Sequence, residues 1–594
     1  MKKNSPNIIK ILFRVLKDLF LFQTFKSILM IMLLAISSLN GFILLKFIDY
    51  ITLTATQVSS GEIFDISSII IKTMPFILSL LATNLVAQYY SIYKIRFNTQ
   101  IDEYLNSKIK KKLGIIHYDY YESSMVYEKL NRVNEKVVGG YNTAIDSIVK
   151  IVEILFYMSF YIIYLMKINI VFSVLVILSI FFSGIIATKM SKSKHKMFVD
   201  ITKLNQKRDY LDQLPKDKIA HQEYQSGRLF ESIFQKYREA YTDAQKGYLK
   251  IHRYTIFAEA KALLLFVITI LFSYLYLSFQ ITNGITTVGV VVSLMIIFDN
   301  LYGRSEALSY YISNRIEDLL IVNEYYEIMN YNEVQISSQY SLNNSGIKFV
   351  NVSYCYPQSD IKALDQLNIE IKNGEKIAIV GENGSGKTTF SNILLGLLTE
   401  FDGNVIIGNQ EYSKQNPPPI QMVQSLSQDF TMYQTSIRNN ILFGEKGELT
   451  YEKLSDILDT VGIGEFVNTL PNKSETFLGQ LEDEGIELSK GQEQKIAAAR
   501  IIANSKTPVW ILDEPTAYLD PLAEIDMYKY LYKLSNEKTV LFISHRLGFA
   551  PMADRIIVFD RGKVVEIGTH EELIRCNGIY AKMYEAQKSW YGAN

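Results

Sequence analysis

Cysteine is nearly absent here: Cys355 and Cys576 are the only two among 594 residues. No disulfide framework can be built from that pair, so packing must hold the chain together, and a reduced setting suits the half that carries them. Net charge is missing as well, because 61 Lys and Arg balance 61 Asp and Glu. A chain devoted to nucleic acid would carry a basic excess, so nucleic acid is not expected as a partner. Charge of either sign is thin at 21%, while 48% of residues are apolar and 12% aromatic. That balance is too apolar for an ordinary soluble enzyme and too polar for a chain lying wholly in a membrane. The length alone calls for more than one domain.

What is present is unevenly spread. Six stretches are apolar enough to suggest membrane crossings: Ser27–Ile51, Ile69–Tyr90, Ile148–Leu165, Ile168–Ala187, Ile256–Phe279 and Val288–Tyr302, the last extended by Gly284–Thr287. Six such runs have no polar face to offer water, which argues against buried helices of a soluble protein. Ahead of them, Ile8 to Phe22 mixes Lys10, Arg14, Lys17 and Asp18 with Ile, Leu and Phe, the pattern of a helix lying in the membrane interface. A cleaved signal peptide is not expected. The two long connections, Arg96 to Lys150 and Lys189 to Arg253, are rich in Lys and Arg, whereas the short loops are poor in them. Positive-inside bias places both termini and both long connections in the cytoplasm of a multi-pass protein of the cell membrane. Their length predicts that the membrane helices continue well beyond the bilayer.

The second half carries the chemistry. Ile377–Val380 reads as a buried strand and is followed by Gly381, Glu382, Asn383, Gly384, Ser385, Gly386, Lys387 and Thr388, then by Thr389 and a helical pattern to about Leu398. This is a phosphate-binding loop in the context it needs, between a strand and a helix. Its backbone N–H groups and the helix N-terminus favour phosphate, Lys387 adds a point charge, and the Thr388 hydroxyl can ligate Mg²⁺. A second buried run, Val509–Leu512, ends in Asp513 and Glu514. Asp513 is placed to hold Mg²⁺, and Glu514 is the candidate general base for an attacking water.

With these motifs in view, the sequence resembles the ATP-binding cassette (ABC) transporters of the exporter type, in which a membrane domain precedes the cassette. Further residues carry the resemblance in family order. Tyr356 matches the aromatic that stacks on adenine, and Gln428 the glutamine that touches Mg²⁺ and relays to the membrane domain. Ser489, Lys490, Gly491 and Gln492, after Leu488, resemble the signature motif. Ala517–Asp520 resembles the D-loop, and His545 the switch histidine. Lys490 departs from the family's usual glycine, and Pro417–Pro419 is an unusual rigid insertion.

The resemblance implies a fold class: an α-helical transmembrane domain of six spans with long extensions, followed by an α/β P-loop nucleotide-binding domain. The expected boundaries are an interfacial elbow at 1–25, the membrane domain at 26–325, a linker at 326–345 and the cassette at 346–594. It further implies an ATPase using ATP and Mg²⁺, with Glu514, His545 and Gln428 as catalytic residues. The implied partner is a second half-transporter, an identical chain first and a different chain as the alternative. Each ATP would then lie between one chain's P-loop and the other's signature. Segments around Tyr121–Asn131 and Tyr210–Gln225 sit where the family has its coupling helices. The expected function is ATP-driven export across the bilayer, of a peptide in the first instance, since Gln492–Ala497 loosely resembles exporters of modified peptides. Lipid or drug export, or import on the same fold, is the alternative. Glu259 and Asp299, near the ends of apolar runs, are candidates for lining an entry used by a cationic cargo. Leader cleavage by this chain is not expected.

Overall fold

The computed structural model describes residues 8–59, 66–168, 170–282, 288–313, 316–334, 345–357, 359–418, 422–443, 450–482, 484–503, 507–516, 521–535 and 538–591. The Gly284–Thr287 extension, Pro419 and the Ala517–Asp520 segment lie outside them. The chain divides into two compact units. One comprises residues 1–113 and 129–330, and the other residues 114–128 and 331–594.

The first unit is helical throughout. Its helices are α1 (Ile8–Ser59), α2 (Ile66–Ile115), α4 (Ser124–Ile168), α5 (Ile170–Gln213), α6 (Lys218–Ser226), α7 (Phe230–Thr282), α8 (Val288–Ser313) and α9 (Ile316–Met329). The short α3 (Asp119–Glu122) falls in the second unit. Among the described residues the apolar runs fall on the long helices α1, α2, α4, α5, α7 and α8, the fourth run starting at the last residue of α4. Four described stretches are long and apolar enough to cross a membrane: Lys10–Ile48, Ile69–Ile115, Ser124–Lys167 and Phe230–Gln280. Ser173–Ile186 on α5 is a shorter apolar stretch. The long helices do outrun a bilayer, for α2 has 50 residues and so extends about 75 Å.

The side chains show why these helices suit lipid. An inner cluster joins Met158 and Leu165 of α4, Val176 of α5, Phe266 and Leu277 of α7, and Leu294 and Phe298 of α8. On the outside of α7, Leu264, Val267, Ile268, Leu271, Phe272 and Leu275 are all exposed. A helix apolar on both faces is at home only where the solvent is itself apolar. Hydroxyls are satisfied by neighbours: Ser179 and Thr269 share a hydrogen bond of 2.6 Å, and Ser183 and Ser305 one of 2.9 Å, polar links of the kind that join helices in a membrane. α1 is broken at Gln23, which has extended dihedrals (φ −153°, ψ 81°), so Ile8–Phe22 forms a separate arm.

The second unit is α/β. Strands β1 (Ile347–Cys355), β2 (Lys362–Ile371), β3 (Lys376–Gly381), β4 (Asp402–Ile407), β5 (Gln410–Tyr412), β6 (Val423–Leu426), β7 (Val509–Asp513), β8 (Thr539–Ile543), β9 (Arg555–Asp560) and β10 (Lys563–Gly568) form two sheets. The smaller, β2-β1-β4-β5, is antiparallel; the larger runs β10-β9-β3-β8-β7-β6, with only the β10 edge antiparallel. The inner strands β3, β7, β8 and β9 bury both faces, which is why they read as unbroken apolar runs. Alternation sends Ala378, Val380, Trp510, Leu512, Val540 and Phe542 into one core. Ile377, Ile379, Ile511, Leu541 and Ile543 go into the other. Helices follow the parallel strands: α10 (Lys387–Leu394) after β3, then α11 (Ile437–Leu442), α12 (Tyr451–Thr460), α13 (Gly464–Thr469) and α14 (Lys490–Ala503) between β6 and β7. α10 stops at Leu394, short of the expected Leu398, because Gly396 takes a positive φ of 70° and turns the chain.

Candidate active site: a nucleotide pocket at the strand ends

In a parallel sheet, ligands collect beyond the carboxyl ends of the strands. β3 ends at the glycine loop, β7 at Asp513, and β8 just before Ser544 and His545, while Gln428 follows β6 by two residues. Register brings the ends level, with Ile543 opposite both Ile379 and Asp513. Residues spread over nearly 200 positions thus meet in one cavity of about 350 Å³. Its walls include Tyr356, Ala363, Asn383–Thr389, Gln428, Asp513, Glu514 and His545.

The loop is shaped by what its glycines lack. Gly386 is the N-cap of α10 with φ 108°, and a Cβ there would come within 2.8 Å of the Ala363 carbonyl oxygen. A Cβ on Gly381 would lie 2.3 Å from the Phe559 carbonyl oxygen. No other residue type fits either position without moving backbone. Lys387 is buried, and its ammonium donates to the carbonyls of Gly381 at 2.8 Å and Glu382 at 2.9 Å. Burial pulls its pKa below the ordinary lysine value, partly countered by Asp513 and Glu514. The Ser385 hydroxyl is buried with no hydrogen-bond partner among the described residues. A cation and an orphaned hydroxyl at a helix N-terminus are what a phosphate group would satisfy.

The carboxylates sit opposite. Burial, with the neighbouring Glu514 adding to it, pushes the Asp513 acid up to about 6, against the pull of Lys387. A buried carboxylate raised in this way gains from a cation, and Thr388 and Gln428 line the same cavity. The donor set of Thr388, Gln428 and Asp513, all oxygen, fits Mg²⁺, which takes few protein ligands alongside substrate phosphates. Glu514 stands in the left-handed region (φ 48°). Its N–H donates to Ile543 O at 2.8 Å, and its carbonyl accepts from the Gln494 side chain of α14 at 3.1 Å. His545 Nε2 lies 3.5 Å from Glu514 Oε1. Burial and then Lys387 hold the His545 pKa below its usual value, with Glu514 opposing. Tyr356, half-buried, shares a 3.1 Å hydrogen bond with Thr389 and meets Tyr354 edge-on.

The structure therefore brings together the expected P-loop residues, Tyr356, Gln428, Asp513, Glu514 and His545. Gly381 and Glu382 join through their carbonyls. Ser489, Lys490, Gly491 and Gln492 stay apart from this cavity, and Ser489 and Lys490 are exposed. They form a capping box: Gln492 N–H donates to Ser489 Oγ at 3.3 Å, and Ser489 N–H to Gln492 Oε1 at 2.9 Å. The Lys490 ammonium, awkward at a helix N-terminus, is paired with Glu493 at 2.7 Å. Sequence reasoning missed Ala363 as a wall and Gln494 as the clamp on Glu514; only the position of Gln494, two residues beyond the signature, hints at the latter.

Residues 364–517 match the family model described as ABC transporter. The chain is 28% identical over 519 residues to the subtilin transport ATP-binding protein of Bacillus subtilis, covering 85% of this chain and 83% of that protein. It is 36% identical over 244 residues to the nisin transport ATP-binding protein of Lactococcus lactis subsp. lactis. It is 38% identical over 249 residues to the ATP-dependent lipid A-core flippase of Shewanella frigidimarina. Each of these two shorter matches spans 40% of the relative's length. The fold is similar to that of a bacterial Atm1-family ABC exporter solved with ATP bound, with a TM-score of 0.77 at 20% identity, over 96% of this chain and 98% of that one. Fold and pocket together define an ABC-type transport ATPase. More particularly, the cassette match, the likeness to the subtilin transport protein along most of the chain and the exporter-like fold support an exporter-type ABC half-transporter.

Proposed function

We propose that two copies of this chain pair head to tail, bind two ATP between them, and drive a cationic, amphipathic peptide out of the cytoplasm. The observation that carries the pairing is the signature helix end. Ser489 and Lys490 sit exposed on a capped helix N-terminus that takes no part in its own chain's cavity. An anion-favouring end with no anion to serve at home is explained by a nucleotide presented by a second chain.

In this reading Lys387 exchanges its backbone carbonyls for phosphate oxygens, and the Ser385 hydroxyl gains a partner. Mg²⁺, when bound with ATP, neutralises phosphate charge, and Thr388, Gln428 and Asp513 would hold it. Glu514 accepts the proton of the attacking water, while His545 at its side orients toward the terminal phosphate. Tyr356 supplies a face for the base.

The cargo follows from how far each likeness extends. A match covering 85% of the chain necessarily takes in most of the helical unit, and it is to a protein named for transport of subtilin, a peptide. The flippase likeness reaches only 41% of the chain. Glu259 and Asp299 are both exposed in the single chain and supply acid toward a cationic cargo. The test is ATP-dependent uptake of a fluorescent cationic peptide into inside-out vesicles. Accumulation that weakens with Glu259→Gln and Asp299→Asn together is expected; movement of lipid alone, or of peptide in the opposite direction, overturns the reading.

A further inference from the structure

The arm at the start of α1 has a face that nothing in the nucleotide chemistry uses. Within Ile8–Phe22 the residues Ile11, Val15 and Leu19 are buried at 2%, 0% and 6% exposure, so one stripe is packed against protein. The opposite stripe carries Lys10, Phe13, Arg14, Lys17 and Leu21, all exposed, with Phe13 at 69% and Leu21 at 73%. At helical pitch these five lie within about 100° of arc. Asp18 is the one acid between residues 8 and 48, and it is not available to neutralise them. Its carboxylate accepts from Tyr326 OH at 2.6 Å and Tyr141 OH at 3.2 Å. Three cations thus share a face with two large apolar side chains, and the one carboxylate of the arm is turned to the protein.

We propose that this face is a docking site for anionic phospholipid headgroups. Two features of the arm favour that occupant. The charges are complementary, since Lys10, Arg14 and Lys17 can each sit at a phosphate while Phe13 and Leu21 enter the acyl boundary. The arm is the leading end of an apolar stretch, Lys10–Ile48, long enough to cross a bilayer, and the break at Gln23 sets it apart from the remainder, so the face lies where headgroups are. The bond from Asp18 to Tyr326 gives the site a route inward. Tyr326 stands on α9, the last helix before residue 331, where the chain passes into the nucleotide-binding unit. Arg14 adds to the link, with its guanidinium 5.7 Å from the centre of the Tyr326 ring. Lipid held by the arm is therefore two contacts from the helix that leads to the ATPase.

The experiment is native mass measurement of the full chain released from nanodiscs of phosphatidylcholine mixed with phosphatidylglycerol. Wild type retains phosphatidylglycerol in preference to phosphatidylcholine, and raising salt weakens the preference. Neutralising Lys10, Arg14 and Lys17 to Gln one at a time lowers phosphatidylglycerol retention roughly fivefold per charge. The charge-keeping set Lys10→Arg, Arg14→Lys and Lys17→Arg restores it. Equal retention of the two lipids by wild type overturns the proposal, and so does an unchanged preference in the triple Gln variant. Neither outcome depends on ATP turnover, so the test stands apart from the reading of the nucleotide site and its cargo.

Discussion

Thr399 donates its backbone N–H to both carboxylate oxygens of Asp119, at 3.2 and 3.0 Å, and adds its hydroxyl to one of them. The two residues are 280 positions apart, and both belong to the nucleotide-binding unit although Asp119 lies between two helices of the other. Thr399 is buried, and burial raises the Asp119 acid above its ordinary range while the Thr399 bonds oppose that rise. The short helix α3, which runs into the first expected coupling segment, is thus held by a carboxylate two residues ahead of that segment.

Asp119→Ala leaves the Thr399 N–H and hydroxyl without an acceptor, a loss on the order of 1–3 kcal/mol. Basal ATPase is expected to stay within about twofold, because no group of the pocket is touched, while stimulation by cargo is lost. Steady-state turnover with and without a cationic peptide measures both. Retained stimulation in a stably folded variant removes the coupling role.

Glu514→Gln keeps the shape of the site and removes the proton acceptor. Nucleotide binding is expected to persist while turnover falls on the order of 10²- to 10⁴-fold. A malachite-green phosphate assay beside a fluorescent-ATP titration separates the two. Turnover near that of wild type would assign the base elsewhere.

Lys387→Ala acts on the other side of the ledger between binding and turnover. Its ammonium is the buried cation of the pocket, so affinity itself is expected to drop, roughly 10- to 150-fold for loss of a charged hydrogen-bond donor. Calorimetric titration with a non-hydrolysable analogue reads the change. An unchanged affinity would mean that the backbone loop alone holds the phosphates.

Ser489→Arg breaks the capping box and places a bulky cation at the helix end. ATP binding to the single chain is expected to be normal, since Ser489 lies outside that chain's cavity, whereas turnover and ATP-dependent pairing are lost. Native mass measurement in the Glu514→Gln background shows pairing directly. A variant that still pairs and turns over ATP contradicts a composite site. Lys490→Gly, in contrast, removes a charge already held by Glu493 and is expected to leave pairing intact.

Much of this was readable from the residues in order. The P-loop is a contiguous motif because eight consecutive backbone positions must wrap one phosphate, and two of its glycines prove to have no room for a Cβ. Asp513 and Glu514 were legible because β7 is buried on both faces and ends abruptly in acid. The long helices were legible as apolar runs, though their inner and outer faces were not, since both are apolar. What the sequence hid are contacts made at long range or by side chains in unusual roles. Asp119 meeting Thr399 has no local signature, and the short helix α3 begins at Asp119, two residues before the segment expected to couple. Gln494 reads as an ordinary helical residue until the fold sets Glu514 beside it.

That clamp gives α14 two loads on one rod. In the proposed pairing its first turn would meet a neighbour's nucleotide, and five residues beyond Ser489 the Gln494 side chain donates to the carbonyl of Glu514, the proposed base. The gripped residue is held in a left-handed conformation that glutamate rarely adopts, so it has little slack. A helix cannot shift at one end and stay still less than two turns away. If two chains pair as proposed, each would sense the neighbour's ATP at the residue that activates the water attacking its own, and α14 would link the two sites without any signal crossing the membrane helices.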